Sequence, residues 1–202
     1  MTAASGEGPL RCYLSHHKCA TMYAISVLGR VSAELDMVQR VLYGPEEFGG
    51  DLDAFVARNP TDILSYIDAE WEYVQSLRGY RSVHVIRDPR DILVSAYFSH
   101  LHSHDTSAWP ELVDHRERLR DVSKEEGLYL EMEFTGYVFD SMRNWDYDRE
   151  SILGLRFEQL ANHPYEFWLD AARHLDLVDE RDFGLRRNLV YALQGIVNQA
   201  HR

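Results

Sequence analysis

The chain has 202 residues, 45% hydrophobic and 27% charged, a composition that suits one globular domain and excludes a disordered segment. Its net charge of −12 excludes a general nucleic-acid binder, which needs a basic surface to displace counterions, and no apolar run approaches the ~20 residues of a membrane span. The first residues lack a basic start followed by an apolar core, so no signal peptide is expected, and Cys12 and Cys19 are read as free thiols in the reducing cytoplasm.

Residues 1–9 are small, polar and glycine-rich and are expected to fray. Arg11 to Ser15 is a short apolar run that reads as a buried strand. From Ala20 to Glu34, Met22, Ile25, Val27, Leu28 and Val31 recur at roughly helical spacing. Leu35 to Leu42 is expected to hold a second strand, and residues 43–60, punctuated by Gly44-Pro45, Gly49-Gly50 and Asn59-Pro60, read as loop. Asp62 to Ile67 reads as a third strand and Ala69 to Leu77 as a short helix. Ser82 to Ile86 is a strand by its β-branched content, and Ile92 to Leu101 a helix after the Arg87–Asp91 turn. Residues 102–127 are polar and charged and read as loop. A helix over Leu128 to Asn144, a strand over Ser151 to Phe157 and a helix over Pro164 to Leu175 follow, with further helix over 182–202. Strands alternating with helices predict a three-layer α/β/α domain around a central, mostly parallel sheet, taken to span residues 1–202. Right-handed crossovers put the strand-to-helix turns on the ligand-binding edge of such a sheet.

An acidic chain holds a polyanion only where its few basic groups converge. Two turns are candidates. In the first, His16-His17-Lys18-Cys19-Ala20-Thr21-Met22-Tyr23, a lysine and a hydroxyl precede a helix whose first N–H groups are unpaired, which makes an anion site. The ATP-type loop G-x-x-x-x-G-K-[ST] is absent. In the second, a strand delivers Arg87, whose planar fork suits a phosphate monoester, and Ser95 follows eight residues later on the next helix. Taken singly, the first turn reads equally well as an ordinary surface lysine at a helix start, and the second reads better as loop charges with a packing serine.

Together they resemble the family of sulfotransferases that use 3′-phosphoadenosine 5′-phosphosulfate (PAPS). His16 to Tyr23 is similar to that family's Tyr-Pro-Lys-Ser-Gly-Thr-Thr-Trp loop, and Arg87-Asp88-Pro89-Arg90-Asp91 with Val94-Ser95-Ala96-Tyr97 to its 3′-phosphate element. Leu155-Arg156-Phe157-Glu158-Gln159-Leu160 resembles a later Arg-Tyr-Glu-Asp-Leu segment, and the resemblance covers roughly residues 10–178. It implies a P-loop-like sulfotransferase fold. It further implies that PAPS lies along His17, Lys18, Cys19, Ala20, Thr21 and Met22, with Tyr23 and Phe157 at the adenine, and that Arg87 and Ser95 hold the 3′-phosphate. Lys18 would be catalytic and no metal would be needed. The general base is open between Asp68, the residue after the third strand, and His100, with His102, His104, Glu46 and Glu47 as further candidates.

The departures are Ala20 in place of the loop glycine, tolerable if its φ is negative, and Met22 in place of the second threonine. A closing Arg-Lys-Gly…Gly-x-Trp-Lys segment has no match before Arg202. The alternating His100, His102 and His104 lack a second ligand set, so no metal site is expected. The expected acceptor is a small molecule or carbohydrate bearing a hydroxyl or amine, with 43–60 and 98–127 as acceptor-side loops. No nucleic-acid partner is expected, and a homodimer is left open. Two rivals stand beside this reading: a kinase of related fold, and a cofactor-binding scaffold without turnover.

Overall fold

The computed structural model describes residues 8–107 and 109–178. The expectations for residues 1–7 and for helix over 182–202 lie outside them. Five strands form one sheet: β1 (Leu10–Ser15), β2 (Gln39–Leu42), β3 (Ile63–Tyr66), β4 (Tyr80–Ile86) and β5 (Ile152–Arg156). Their order is β2-β3-β1-β4-β5, and every pairing is parallel.

Alternation along the strands builds two cores. Tyr13 of β1 and Val83 and Val85 of β4 face one side, where they meet Ala24, Val27, Leu28 and Val31 of α1 (Thr21–Glu34) and Phe167, Trp168 and Ala171 of α9 (Pro164–His174). Cys12 and Leu14 of β1 face the other side, with Leu52 of α2 (Leu52–Arg58) and Val74 of α3 (Trp71–Val74). Each fully buried leucine contributes about 1.5–3 kcal/mol over its exposed state. The result is the expected α/β/α arrangement.

Several boundaries differ from those read in the sequence. Residues 43–60 hold a 3-10 turn (Pro45–Glu47) and α2, which starts where Asp51 Oδ1 accepts the Ala54 N–H at 2.9 Å. Residues 102–127 hold α5 (Pro110–Arg120), whose buried face is only Leu112, His115 and Leu119, too sparse to register as periodic. The helix read over 128–144 is two: α6 (Lys124–Phe134), opened by a Ser123/Glu126 capping box, and α7 (Gly136–Arg143). They part at Thr135, whose hydroxyl donates to the Glu131 carbonyl at 2.7 Å. β5 ends at Arg156, and Phe157 instead opens α8 (Phe157–Asn162). The helix after β4 is α4 (Pro89–His102), with Pro89 at its first position and Asp88 as cap.

The chain leaves β1 toward β2 and β3 on one side and leaves β4 toward β5 on the other. The carboxyl ends of β1 and β4 therefore flank a topological switch point, where open parallel sheets bind ligands. Ser15 pairs with Val85, so the turns that follow β1 and β4 start at the same level.

Candidate functional site

The two turns meet. Arg87 Nη1 donates to the Lys18 carbonyl at 3.0 Å, across 69 residues of sequence. The third resembling segment joins them: the Phe157 ring lies 4.1 Å from the Arg87 guanidinium, and Glu158 Oε1 accepts the Asp88 N–H at 3.1 Å. Arg87 Nε is sealed from solvent and makes no hydrogen bond among the described residues. No side chain caps α1, and its first turn carries no acid. An orphaned guanidinium N–H beside an uncapped helix N-terminus fits a phosphate-bearing nucleotide.

The loop between β1 and α1 is wound by two left-handed residues, Lys18 (φ 65°) and Ala20 (φ 61°). The condition on which alanine would be harmless is thus not met, since left-handed backbone costs a Cβ-bearing residue about 1–2 kcal/mol. Glycine at this position relieves that strain while adding unfolded-state entropy. Ala20→Gly is therefore expected to stabilise the fold by about 0.5–1 kcal/mol, read in a melting scan as a rise of roughly 2–4 °C per kcal/mol. An unchanged or lower melting temperature would contradict the strain argument.

The other loop residues are placed unequally. Cys19 is wholly buried in the core; burial pushes its thiol up to about 12, and its N–H is bound to the His16 carbonyl at 3.1 Å. Thr21 Oγ1 donates to the His16 carbonyl at 3.2 Å and lies 3.0 Å from Ser15 Oγ, so its hydroxyl is engaged locally. The Met22 side chain is exposed, and Tyr23 is half-buried against Trp168. Ser95 is half-buried on α4 and makes no hydrogen bond to a described residue. The Lys18 ammonium is held below its ordinary value, first by burial and then by Arg87, with Glu131 pulling the other way.

Asp68 stands after β3 at φ 51°, a conformation aspartate tolerates better than most residues. Its Oδ1 is buried without a hydrogen-bond partner among the described residues. Burial raises its carboxyl from an ordinary 3.8 to about 7, against the pull of the His17 backbone N–H and with a smaller push from Glu70. Asp68 and His16 wall a cleft of about 670 Å³, together with Tyr43, Trp71, Tyr137 and the acids Glu46, Glu70, Glu72 and Asp140. This cleft takes its walls from 43–46 and from α3 and α7, whereas the 98–127 stretch contributes none of its lining. His16 Nε2 lies 2.7 Å from His84 Nε2, and burial keeps His16 near about 4, so it is neutral at neutral pH.

His100 is fully buried at the end of α4. Its Nε2 lies 3.0 Å from His17 Nε2, and its Nδ1 is 2.8 Å from Glu131 Oε1. Its only polar route toward the loop therefore runs through His17. His115 Nε2 approaches the second oxygen of Glu131 at 2.9 Å. Burial opposes the charge on Glu131, but hydrogen bonds from His100 and His115 outweigh it and hold the carboxyl below its usual range. Nothing in the sequence pointed to Glu131 or His115: each stands in a charged stretch, and only tertiary packing turns it inward.

No protein-family model matches the chain, and no curated protein sequence does. Solved structures do. The crystal structure of mouse sulfotransferase SULT7A1 complexed with PAP superposes with a TM-score of 0.55 at 12% identity, over 91% of this chain. This chain spans 64% of the length of that protein. A sulfotransferase from Alicyclobacillus acidocaldarius is similar at 17% identity and a TM-score of 0.44, over 96% of this chain and 94% of its own. Retinol dehydratase in complex with androsterone and inactive cofactor PAP is similar at 12% identity and 0.47, over 95% and 65%. The parallel three-layer architecture with paired turns at its switch point is an α/β/α type. More narrowly, by the likeness to the mouse enzyme, it is the sulfotransferase fold. No helix among the described residues is long and apolar enough to cross a membrane.

Proposed function

We propose that this chain is a PAPS-dependent sulfotransferase that moves a sulfuryl group to a hydroxyl or amine of a small-molecule acceptor. The observation that carries this reading is the hydrogen bond from Arg87 to the Lys18 carbonyl. It locks a lysine-bearing helix N-terminus to an arginine resting on Phe157, a spacing of charges that suits a nucleotide phosphorylated at both ends. Two free, buried cysteines accord with a cytoplasmic setting.

PAPS, when bound, supplies the activated sulfuryl group. Arg87 and Ser95 would hold the 3′-phosphate, and the α1 N-terminus with Lys18 would bind the phosphosulfate end. Sulfuryl transfer demands in-line placement and charge stabilisation, as phosphoryl transfer does. Lys18 would supply positive charge at the phosphosulfate end, where transfer leaves negative charge behind. Asp68 accepts the acceptor's proton, because its carboxyl is poised near neutrality and lies in the wall of the 670 Å³ cleft. Four further acids and three aromatic rings line that cleft, so aromatic or cationic acceptors are favoured and anionic ones repelled.

Arg87→Ala tests the nucleotide. A charge-assisted contact of about 1.5–3 kcal/mol predicts a loss of roughly 10- to 150-fold in affinity for 3′-phosphoadenosine 5′-phosphate, with AMP little affected. Equal losses for both nucleotides would remove the 3′-phosphate from the reading. Stabilisation of the wild type by ATP in preference to 3′-phosphoadenosine 5′-phosphate would favour a kinase. The left-handed Ala20 and the engaged Thr21 hydroxyl support a second reading, a nucleotide-binding protein without turnover. Assays over a panel of alcohols, phenols and amines separate the two.

A further inference from the structure

α4 runs into His100, His102 and His104, an alternation that in sequence has no companion ligands. The fold supplies one. The turn after β1 brings His17 against the end of α4, with the Nε2 atoms of His17 and His100 3.0 Å apart. The ring centroids of His17, His100 and His104 lie 5.1, 5.2 and 5.3 Å from one another, a nearly equilateral triangle. One nitrogen of each ring lies within 4.8 Å of the other two. Trp109 meets all three rings edge-on, at 5.9, 5.4 and 5.5 Å, and closes one side of the triangle.

A second layer orients the first. Both oxygens of Glu131 face a ring nitrogen, His100 Nδ1 at 2.8 Å and His115 Nε2 at 2.9 Å; a carboxylate clasped in this way accepts, so the proton on His100 sits on Nδ1 and the Nε2 lone pair is turned toward the triangle. His115 holds the other oxygen of Glu131 and keeps the carboxylate fixed. Arg116 donates to the carbonyl oxygens of His100 and His104, which pins the last turn of α4. A carboxylate behind an imidazole is the arrangement that sets the tautomer and raises the basicity of metal-ligating histidines.

We propose that His17, His100 and His104 bind one divalent transition-metal ion of the zinc type, with a fourth position open to water or an anion. Imidazole nitrogens select zinc, cobalt, nickel or copper over magnesium and calcium, which take oxygen ligands. Zinc–nitrogen bonds of about 2.0–2.1 Å in tetrahedral geometry place ligand nitrogens roughly 3.3 Å apart. His17 and His100 nearly have that spacing, and His104, half-buried, closes the remainder by side-chain rotation and leaves a path of entry. The protons balance. Without metal, His17 Nε2–H donates to His100 Nε2; on binding, His17 changes tautomer, giving up the Nε2 proton and taking one on Nδ1 by exchange with solvent, and the freed lone pairs take the cation. Glu131 supplies negative charge in a region also bounded by Lys18 and Arg116. The trio of His100, His115 and Glu131 is equally close-set, but its members are hydrogen-bonded to one another and fully buried, so they form the support and not the site.

The test uses the full chain without a polyhistidine tag, stripped by chelator and titrated with Co²⁺ in the absence of nucleotide, so its outcome is independent of sulfuryl transfer. The expected result is saturation at one Co²⁺ per chain, with the visible ligand-field band of nitrogen-coordinated cobalt, lost on addition of Zn²⁺. His104→Ala, a change at a half-exposed position, abolishes the band while the melting temperature stays near that of the wild type. Glu131→Gln keeps the band and weakens binding about 10- to 100-fold; if that variant does not fold, His104→Ala decides alone. No band in the wild type at stoichiometric Co²⁺, or an undiminished band in both His17→Ala and His104→Ala, overturns the proposal.

Discussion

Asp68→Asn is expected to stabilise the protein at pH 8 while removing most of its turnover. The carboxyl of Asp68 titrates near about 7 in the fold against an ordinary 3.8, chiefly because burial disfavours its charge. Its folded pKa is raised, so between pH 4 and 7 the folded state binds more protons than the unfolded state, and stability falls as pH rises. At about 1.4 kcal/mol per pKa unit, ionising Asp68 costs the fold roughly 4 kcal/mol at and above pH 8. Asparagine tolerates the same left-handed backbone and carries no charge, so it recovers most of that cost. The gain should vanish below about pH 4, where the aspartate is protonated in both states. Chemical unfolding of both proteins at pH 4 and pH 8 measures it, and equal stabilities at pH 8 would overturn the assignment. Turnover by the wild type should rise with pH through about 7 and then level off, since only the carboxylate accepts a proton. The variant should lose roughly 10²- to 10⁴-fold, along with that rise.

Lys18→Ala is expected to leave the fold intact and reduce sulfuryl transfer by at least about 10²- to 10³-fold, the scale for removing one group that stabilises transition-state charge. The contact that ties this loop to the turn after β4 uses the Lys18 carbonyl, which survives the substitution. The ammonium is itself held below its ordinary value by burial and by Arg87, so its removal relieves repulsion and breaks no ion pair among the described residues. A melting curve should move little, while single-turnover rates collapse. Full activity in this variant would falsify the assignment of Lys18.

The residues near Lys18 divide the work of the sheet edge. On one flank, Arg87, Phe157 and the α1 N-terminus form the surface proposed for the nucleotide. On another, Asp68 and His16 open into the acidic, aromatic cleft. On a third, His17 turns toward α4 and its histidines. The turn after β1 therefore serves three neighbourhoods with consecutive residues, and its two left-handed positions are what allow so sharp a distribution.

The strands and the β1 and β4 turns were legible in the amino-acid order because their determinants are local. Buried parallel strands need apolar or β-branched runs such as Cys12–Leu14 and Val83, Val85 and Ile86, and a proline after Asp88 marks a helix start whatever surrounds it. The meeting of the Lys18 and Arg87 turns was likewise readable, since strand-to-helix turns of one parallel sheet share an edge. α5 was not readable, because three buried residues in eleven leave almost no periodic signal; its burial depends on a surface that α4 and α6 create. Glu131 and His115 were hidden for the same reason, as nothing in a charged stretch distinguishes a solvated acid from one clasped between two histidines. The sign of φ at Ala20, the pKa of Asp68 and the meeting of His17 with the end of α4 were decided by tertiary structure alone. Each depends on how close two distant segments come, and the chain order sets that distance only after the sheet has assembled.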